Sequence, residues 1–284
     1  MMEKAKRFAP MLCSLGTEIK DDPDWLFELK MDGIRAVACR ENGTWKLWNR
    51  YGSEISLQFP DIMEGLESFV GADCVLDGEI VCLKNGLVSF HDMQFRIHKQ
   101  DRIGIEYALK LHPASFYPFD IPSIAGNEIL DEKLLYRRDI LARIAKNNSN
   151  VTTLPFIVGE GKWLFEQVLE SGREGIVAKH MASTYRPGIR SPSWVKYKNF
   201  TEEVFEVGGF TEGKGEREIG ALILKENGIE IGKCSGFDQR EIEEIKQLKA
   251  ENKNVQVVIR YLERTNHNRL RMPVFRRIKR KEAK

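Results

Sequence analysis

Little in this sequence points to a secreted, membrane-spanning or disordered chain. It has only five cysteines (Cys13, Cys39, Cys74, Cys82 and Cys234), an odd number with no Cys-x-x-Cys pair. They fit neither a disulfide framework nor a structural zinc site. Apolar runs are strand-length, far short of the roughly 20 residues that a membrane helix needs. The opening Met-Met-Glu-Lys-Ala-Lys-Arg lacks the apolar stretch of a secretory signal. Internal repeats and low-complexity segments are absent. Neither sign of charge dominates, with 44 Lys and Arg against 42 Asp and Glu, a net +2. The expectation is a reduced, cytoplasmic protein with no membrane contact.

At 284 residues, with 42% hydrophobic and 30% charged, the chain has apolar material for a real core and length for two folded units. Its positive charge is unevenly spread. From Val255 onward there are ten Lys and Arg, but only Glu263 and Glu282 are acidic. A basic end behind a mildly acidic body points to a polyanion partner, although a solvated tail has the same composition.

Trp25 to Met31 alternates, with Leu26, Glu28 and Lys30 on one face and Phe27, Leu29 and Met31 on the other, the period-2 sign of a strand. Ile34 to Arg40, Asn42-Gly43 and Thr44 to Trp48 read as a hairpin. The Asn-Gly device recurs at Asn85-Gly86, after Cys74 to Leu83, and at Asn227-Gly228, between Ala221 to Lys225 and Ile229 to Lys233. Helices are predicted over Asp61 to Phe69, Glu128 to Lys146, Lys162 to Ser171 and Asp238 to Lys249, the last with the Asp238/Glu241 spacing of a capping box. Hairpins interspersed with isolated helices indicate an α+β fold with largely antiparallel sheets. A boundary near Phe200 divides residues 1–200 from residues 201–284. The short strands, single helix and final strand of the second part suit a five-stranded OB barrel, a common nucleic-acid-binding scaffold.

Chemistry first appears at Lys30-Met31-Asp32-Gly33-Ile34-Arg35, a lysine ending a strand just before a tight turn. A lysine in a partly buried, cation-flanked pocket exposes its amine as a nucleophile. It could attack the α-phosphate of a nucleotide if metal ions neutralise the phosphate oxygens. Alone, the string is better explained by an ordinary hairpin lysine. Leu76-Asp77-Gly78-Glu79 and Glu174-Gly175-Ile176-Val177-Ala178-Lys179 each place a carboxylate on or beside a strand. Carboxylates suit Mg²⁺, which keeps several waters and uses few protein ligands. Either Glu alone would read as a solvated surface residue. Trp194-Val195-Lys196-Tyr197-Lys198 sets two ammoniums on one strand face, which a phosphate would compensate and which an exposed edge strand would also carry.

In this order, the motifs resemble those of the ATP-dependent DNA ligases, in the covalent nucleotidyltransferase superfamily. They are most similar to the ligase module of bacterial end-joining ligases. The resemblance covers nearly the whole chain. Lys30 to Arg35 resembles the nucleophile motif, Asn49-Arg50-Tyr51-Gly52 the short Arg-x-Gly turn and Asp77-Gly78-Glu79 the central acidic motif. Phe116 to Asp120 is similar to the aromatic strand motif and Glu174 to Lys179 to the second acidic motif. The run from Arg186 to Lys196 is especially like the end-joining branch. Any one of these would be weak; six in the family's order are specific.

The resemblance implies a nucleotidyltransferase domain of antiparallel sheets flanked by helices, followed by an OB-fold barrel. It implies that Lys30 is the adenylated lysine and that Glu28 fixes the adenine amino group. Phe119 would stack on the base, although without the family match it reads as a core aromatic. Glu79 would serve the ribose or a metal, and Glu174 a metal, Mg²⁺ or Mn²⁺. Arg35 and Arg50 would contact the sugar, the phosphate or the 5′-phosphate end. Arg190 and Lys196 would grip the ATP phosphates, with Lys198 assisting.

The barrel segments Ile231 to Phe237 and Leu270 to Phe275 also resemble the family. The family's terminal Arg-x-Asp-Lys, which orients the leaving pyrophosphate, is not reproduced: Arg277-Ile278 runs into Lys279-Arg280-Lys281-Glu282. With no zinc cluster and no NAD-binding preamble, ATP is the expected donor. The expected substrate is nicked or broken duplex DNA, sealed by a monomer with hinge motion near residues 198–203. No DNA-encircling, polymerase or nuclease region is seen, so a Ku-type end-binding partner is a further expectation. An RNA ligase or capping guanylyltransferase shares the nucleophile motif, and an idle DNA-binding homologue would share the barrel.

Overall fold

The computed structural model describes residues 9–84, 86–213, 219–251, 254–265 and 267–279. The chain divides into two units, Met1–Tyr197 and Lys198–Lys284. In the first unit the strands and helices follow the order β1 (Leu12–Leu15), β2 (Trp25–Leu29), β3 (Ile34–Glu41), β4 (Thr44–Asn49) and α1 (Pro60–Phe69). Next come β5 (Cys74–Lys84), β6 (Leu87–Val88), α2 (Phe90–Ile97), α3 (Arg102–Leu111), β7 (Ala114–Ile124) and β8 (Asn127–Glu128). The unit ends with α4 (Leu134–Ile144), β9 (Phe156–Val158), α5 (Gly161–Glu170), β10 (Gly175–His180) and β11 (Arg190–Lys198), whose last residue belongs to the second unit.

Two sheets frame the first unit, one ordered β1-β11-β10-β2-β9 and the other β4-β3-β5-β7-β8. The β1–β11 pairing is parallel. Pairings of β2 with its neighbours, and those within the second sheet, are antiparallel. Asn42 and Gly43 take φ of 52° and 76°, the left-handed values by which a two-residue turn matches the twist of its strands. The pattern repeats at Asn227 and Gly228, φ 50° and 79°; Asn85, of the third expected Asn-Gly turn, lies outside the described residues. Helix α1 starts on Pro60, tolerated where the N–H has no helical partner. It buries Ile62, Leu66 and Phe69 against a core that includes Leu47, Leu76 and Phe116. Each such side chain contributes about 1.5–3 kcal/mol of burial.

Two helices were not expected from the sequence. Both α2 and α3 are short and capped by side chains, Ser89 accepting from the Asp92 N–H and Asp101 from the Gly104 N–H. The helix expected over Glu128 to Lys146 contracts to α4, because Asn127 and Glu128 pair with Ile124 and Ser123 of β7.

The second unit comprises β12 (Thr201–Glu212), β13 (Ile219–Glu226), β14 (Ile229–Cys234), α6 (Gln239–Ala250), β15 (Gln256–Tyr261), β16 (Glu263–Arg264), β17 (Leu270–Arg271) and β18 (Val274–Ile278). Its sheet runs β14-β13-β12-β15-β18. The Phe275 N–H donates to the Ser235 carbonyl at 3.0 Å, joining the two ends of that order. Inside lie Phe205, Leu222, Leu224, Ile231, Val257, Ile259 and Phe275. The Asp238/Glu241 capping box of α6 forms as its spacing implies.

The basic end reads differently in three dimensions. Arg264 pairs with Glu203 and Glu226, Arg269 with Glu230, Arg271 with Glu263 and Arg276 with Glu202. A count along the segment misses the partners of Arg264, Arg269 and Arg276, because Glu202, Glu203, Glu226 and Glu230 come from strands far away in the chain. Arg280, Lys281, Glu282 and Lys284 lie outside the described residues.

Candidate active site

Lys30 follows directly on β2, its N–H held by the Gly175 carbonyl at 2.9 Å. Its Nζ donates to Glu174 Oε2 at 2.6 Å, the lysine side chain 21% and the glutamate 5% exposed. This amine is thus reachable while its partner is buried. Gly33 makes the approach possible: a Cβ there would stand 1.9 Å from the Ile80 carbonyl oxygen, so only glycine lets β3 start this close to β5.

Glu79 sits on β5, directly opposite Arg35 of β3 and Tyr117 of β7. Burial pushes its carboxyl up to about 7; Arg35 and Lys30 pull it down, while Glu174 and Asp77 push it further up. Lys30, Glu79, Glu174, Arg35 and Asp77 therefore share one electrostatic neighbourhood. Burial raises the Cys13 thiol too, against the pull of Arg35, Lys179, Lys196 and Lys30. This brings in Lys196, whose backbone lies opposite Leu15 of β1.

Within and beside this group are ion pairs with buried partners. Arg35 grips Asp77 through two bonds of 2.6 and 2.7 Å. The Tyr185 hydroxyl donates to Asp77 Oδ2 at 2.7 Å and accepts from the Met11 N–H at 3.2 Å. Arg137 pairs with Asp120 in the same two-pronged way, at 2.7 and 2.8 Å. Glu28, 1% exposed, has Lys179 Nζ at 2.6 Å and Arg138 Nη1 at 3.3 Å. Burial lowers the Lys179 ammonium from its ordinary range, while Glu28 opposes the shift.

Phe119 is 5% exposed and packs edge-on to Trp194. The Arg35 guanidinium carbon lies 4.4 Å and Lys179 Nζ 3.8 Å from its ring centroid. In this structure it is a core aromatic flanked by cations.

The remaining expected residues are more dispersed. Arg50 is exposed on the turn after β4 and stacks on Tyr51 at 4.8 Å, with no ion pair among the described residues. That turn is shaped by Asn49 Oδ1, which accepts from the N–H groups of Tyr51 and Ser53, and by Gly52 at φ 80°. Arg190 opens β11 and donates to the Cys13 carbonyl. Lys198 belongs to the second unit, its Nζ 3.3 Å from the Met272 sulfur.

Sequence reasoning assigned no role to Asp77, Tyr185, Arg138 or Lys179. Lys179 carried a signal, a charge ending the otherwise apolar strand Gly175–Ala178. Arg138 carried none, because its partner Glu28 lies on a different element. Among the described residues no cluster of three metal-ligating side chains exists. Glu79 and Glu174 nonetheless provide two carboxylates, a donor set suited to a cation that keeps most of its waters.

A lysine amine set among carboxylates and cations in a mixed fold suits an enzyme that works through an activated lysine nucleophile. The chain belongs to the ATP dependent DNA ligase domain family, which matches residues 10–198. It is 32% identical, over 95% of its length, to the multifunctional non-homologous end joining protein LigD of Mycolicibacterium smegmatis, and spans 38% of that protein. To DNA ligase 2 of Korarchaeum cryptofilum it is 33% identical over 72% of its length, spanning 37% of that relative. A solved structure described as mycobacterial DNA ligase D complexed with ATP and MES aligns with 96% of this chain and 95% of that one, at 25% identity and a TM-score of 0.60. No helix among the described residues is long and apolar enough to cross a membrane.

Proposed function

We propose that this chain is an ATP-dependent DNA ligase module that seals 5′-phosphate/3′-hydroxyl breaks in duplex DNA, in repair or end joining. The observation that carries the reading is the Lys30 amine, partly exposed and bonded to Glu174 Oε2 at 2.6 Å, within a domain of the ligase family. Lys30 releases its ammonium proton to water and acts as the neutral amine. The nitrogen attacks the α-phosphorus of ATP, the bond to the bridging oxygen breaks and pyrophosphate leaves. The lysyl-AMP then passes its AMP to the DNA 5′-phosphate, freeing Lys30. Attack by the 3′-hydroxyl on that phosphate expels AMP and closes the strand. Each step is an in-line displacement driven mainly by positioning and charge stabilisation.

Within this reading Glu28 and Phe119 hold the base. Arg190, Lys196 and Lys198 engage the phosphates, and Arg35 and Arg50 meet the sugar, the phosphate or the DNA end. Arginine suits two-pronged phosphate contact and lysine acts as a point charge. Mg²⁺ or Mn²⁺ on Glu79 and Glu174 would neutralise phosphate oxygens, with Glu79 reaching the ribose as the alternative. We read residues 1–200 as the adenylation domain and 201–284 as an OB barrel, supported by the strand order and the Ser235–Phe275 bond. The expected setting is the cytoplasm, the working form a monomer, and a Ku-type protein the recruiting partner.

The test is sealing of a nicked DNA duplex with ATP and Mg²⁺, beside NAD and a nicked RNA duplex. We expect ATP-dependent DNA joining, abolished in Lys30→Ala. Joining confined to RNA, or equal joining by Lys30→Ala, would overturn the proposal.

A further inference from the structure

Three buried polar atoms without hydrogen-bond partners meet at one carboxylate: Glu28 Oε1, Arg138 Nη1 and Lys179 Nζ. The ion pairs bring Arg138 Nη1 to 3.3 Å from Oε1 and Lys179 Nζ to 2.6 Å from Oε2. Buried polar groups are rarely left in this state without a reason. Here each cation is itself fixed. Arg138 donates through Nη2 to the Leu154 carbonyl and lies over the Phe156 ring at 4.9 Å. Phe156 is also the backbone partner of Glu28 across β9 and β2. Lys179 is held between Phe119 at 3.8 Å and Trp194 at 4.3 Å. The carboxylate is therefore gripped on both oxygens by side chains that have little freedom, and Oε1 keeps unused accepting capacity.

An ionised carboxylate only accepts hydrogen bonds. The 6-amino group of adenine donates, whereas a 6-oxo group accepts. A carboxylate that could swing would satisfy itself elsewhere; one locked in place meets a 6-oxo purine acceptor to acceptor.

We infer that Arg138 and Lys179 are positioning residues for base selection: they fix Glu28 so that Oε1 receives the 6-amino group of ATP and rejects a 6-oxo purine. The inference rests on the ligase reading above, in which Glu28 faces the base.

The test is lysyl-nucleotide formation by the full chain with ATP and with inosine triphosphate, comparing KM and kcat. The wild type should prefer ATP. Removing a cation that orients a charged hydrogen-bond acceptor should lower that preference about tenfold or more in Arg138→Met, with the loss falling on KM for ATP. Arg138→Lys, which keeps the buried cation but cannot hold the Leu154 carbonyl and Glu28 together, should fall between the two. If Arg138→Met fails to fold, Arg138→Lys and Lys179→Arg carry the test. Unchanged ATP preference and KM in folded variants would overturn the inference. No lysyl-AMP in the wild type would instead overturn the ligase reading itself.

Discussion

Glu79 offers a quantitative test of the site's electrostatics that needs no substrate. Its carboxyl is raised from 4.5 to about 7, mainly by burial. The folded protein thus binds this proton more tightly than the unfolded chain does. The resulting stability is fully present below the unfolded value, is lost as pH rises through about 7, and is absent above it. At about 1.4 kcal/mol per unit of pKa, the full shift would be worth about 3 kcal/mol; partial exposure of the side chain brings this to roughly 2 kcal/mol.

Glutamine at this position has nothing to titrate. Urea unfolding of wild type and Glu79→Gln, in metal-free buffer from about pH 4.5 to pH 8, isolates the contribution of this carboxyl. We expect the stability difference to move in favour of Glu79→Gln by about 2 kcal/mol over that range. Lys30 pulls the carboxyl down, so Lys30→Ala should carry the transition to higher pH. A difference that stays flat, or that favours the wild type as pH rises, would refute the reasoning.

Further outcomes follow from the buried pairs and the tight turn. Asp77→Asn removes the charge gripped by Arg35 and Tyr185, and should cost about 3–5 kcal/mol in denaturant unfolding. Tyr185→Phe removes a single hydroxyl from the same network and should cost only about 1–2 kcal/mol. Gly33→Ala forces a Cβ against the Ile80 carbonyl oxygen; we expect lower thermal stability and at least a tenfold slower reaction with ATP, because misplacement by about 1 Å is that costly.

Sequence periodicity carried the hairpins well. Asn42-Gly43 and Asn227-Gly228 take the left-handed φ that few other pairs accept, so their chemistry is local and legible. The α6 capping box is equally local. Helices α2 and α3 escaped notice although Ser89 and Asp101 cap them; each buries few side chains, Asp92, Met93 and Arg96 in α2 and Ala108 alone in α3, so neither shows a clear apolar stripe. The ligase-like motifs named Lys30, Glu79 and Glu174, which the fold brings into one neighbourhood.

What the motifs could not reveal was pairing across elements. Arg138 on α4 finds Glu28 on β2, and Arg35 on β3 finds Asp77 on β5; such partners are set by sheet register and helix placement. The basic C-terminal segment shows the same limit from the opposite side: Arg264, Arg269 and Arg276 looked unneutralised only while strands β12, β13 and β14 were out of view.

The most direct measurement is to incubate the full chain with Mg²⁺ and ATP labelled on the α-phosphate, digest it and locate the AMP by mass spectrometry. The account expects one adenylated peptide, carrying AMP on Lys30 through an acid-labile phosphorus–nitrogen bond, and no adduct in Lys30→Ala. Absence of any adduct, or AMP on another side chain, would contradict it.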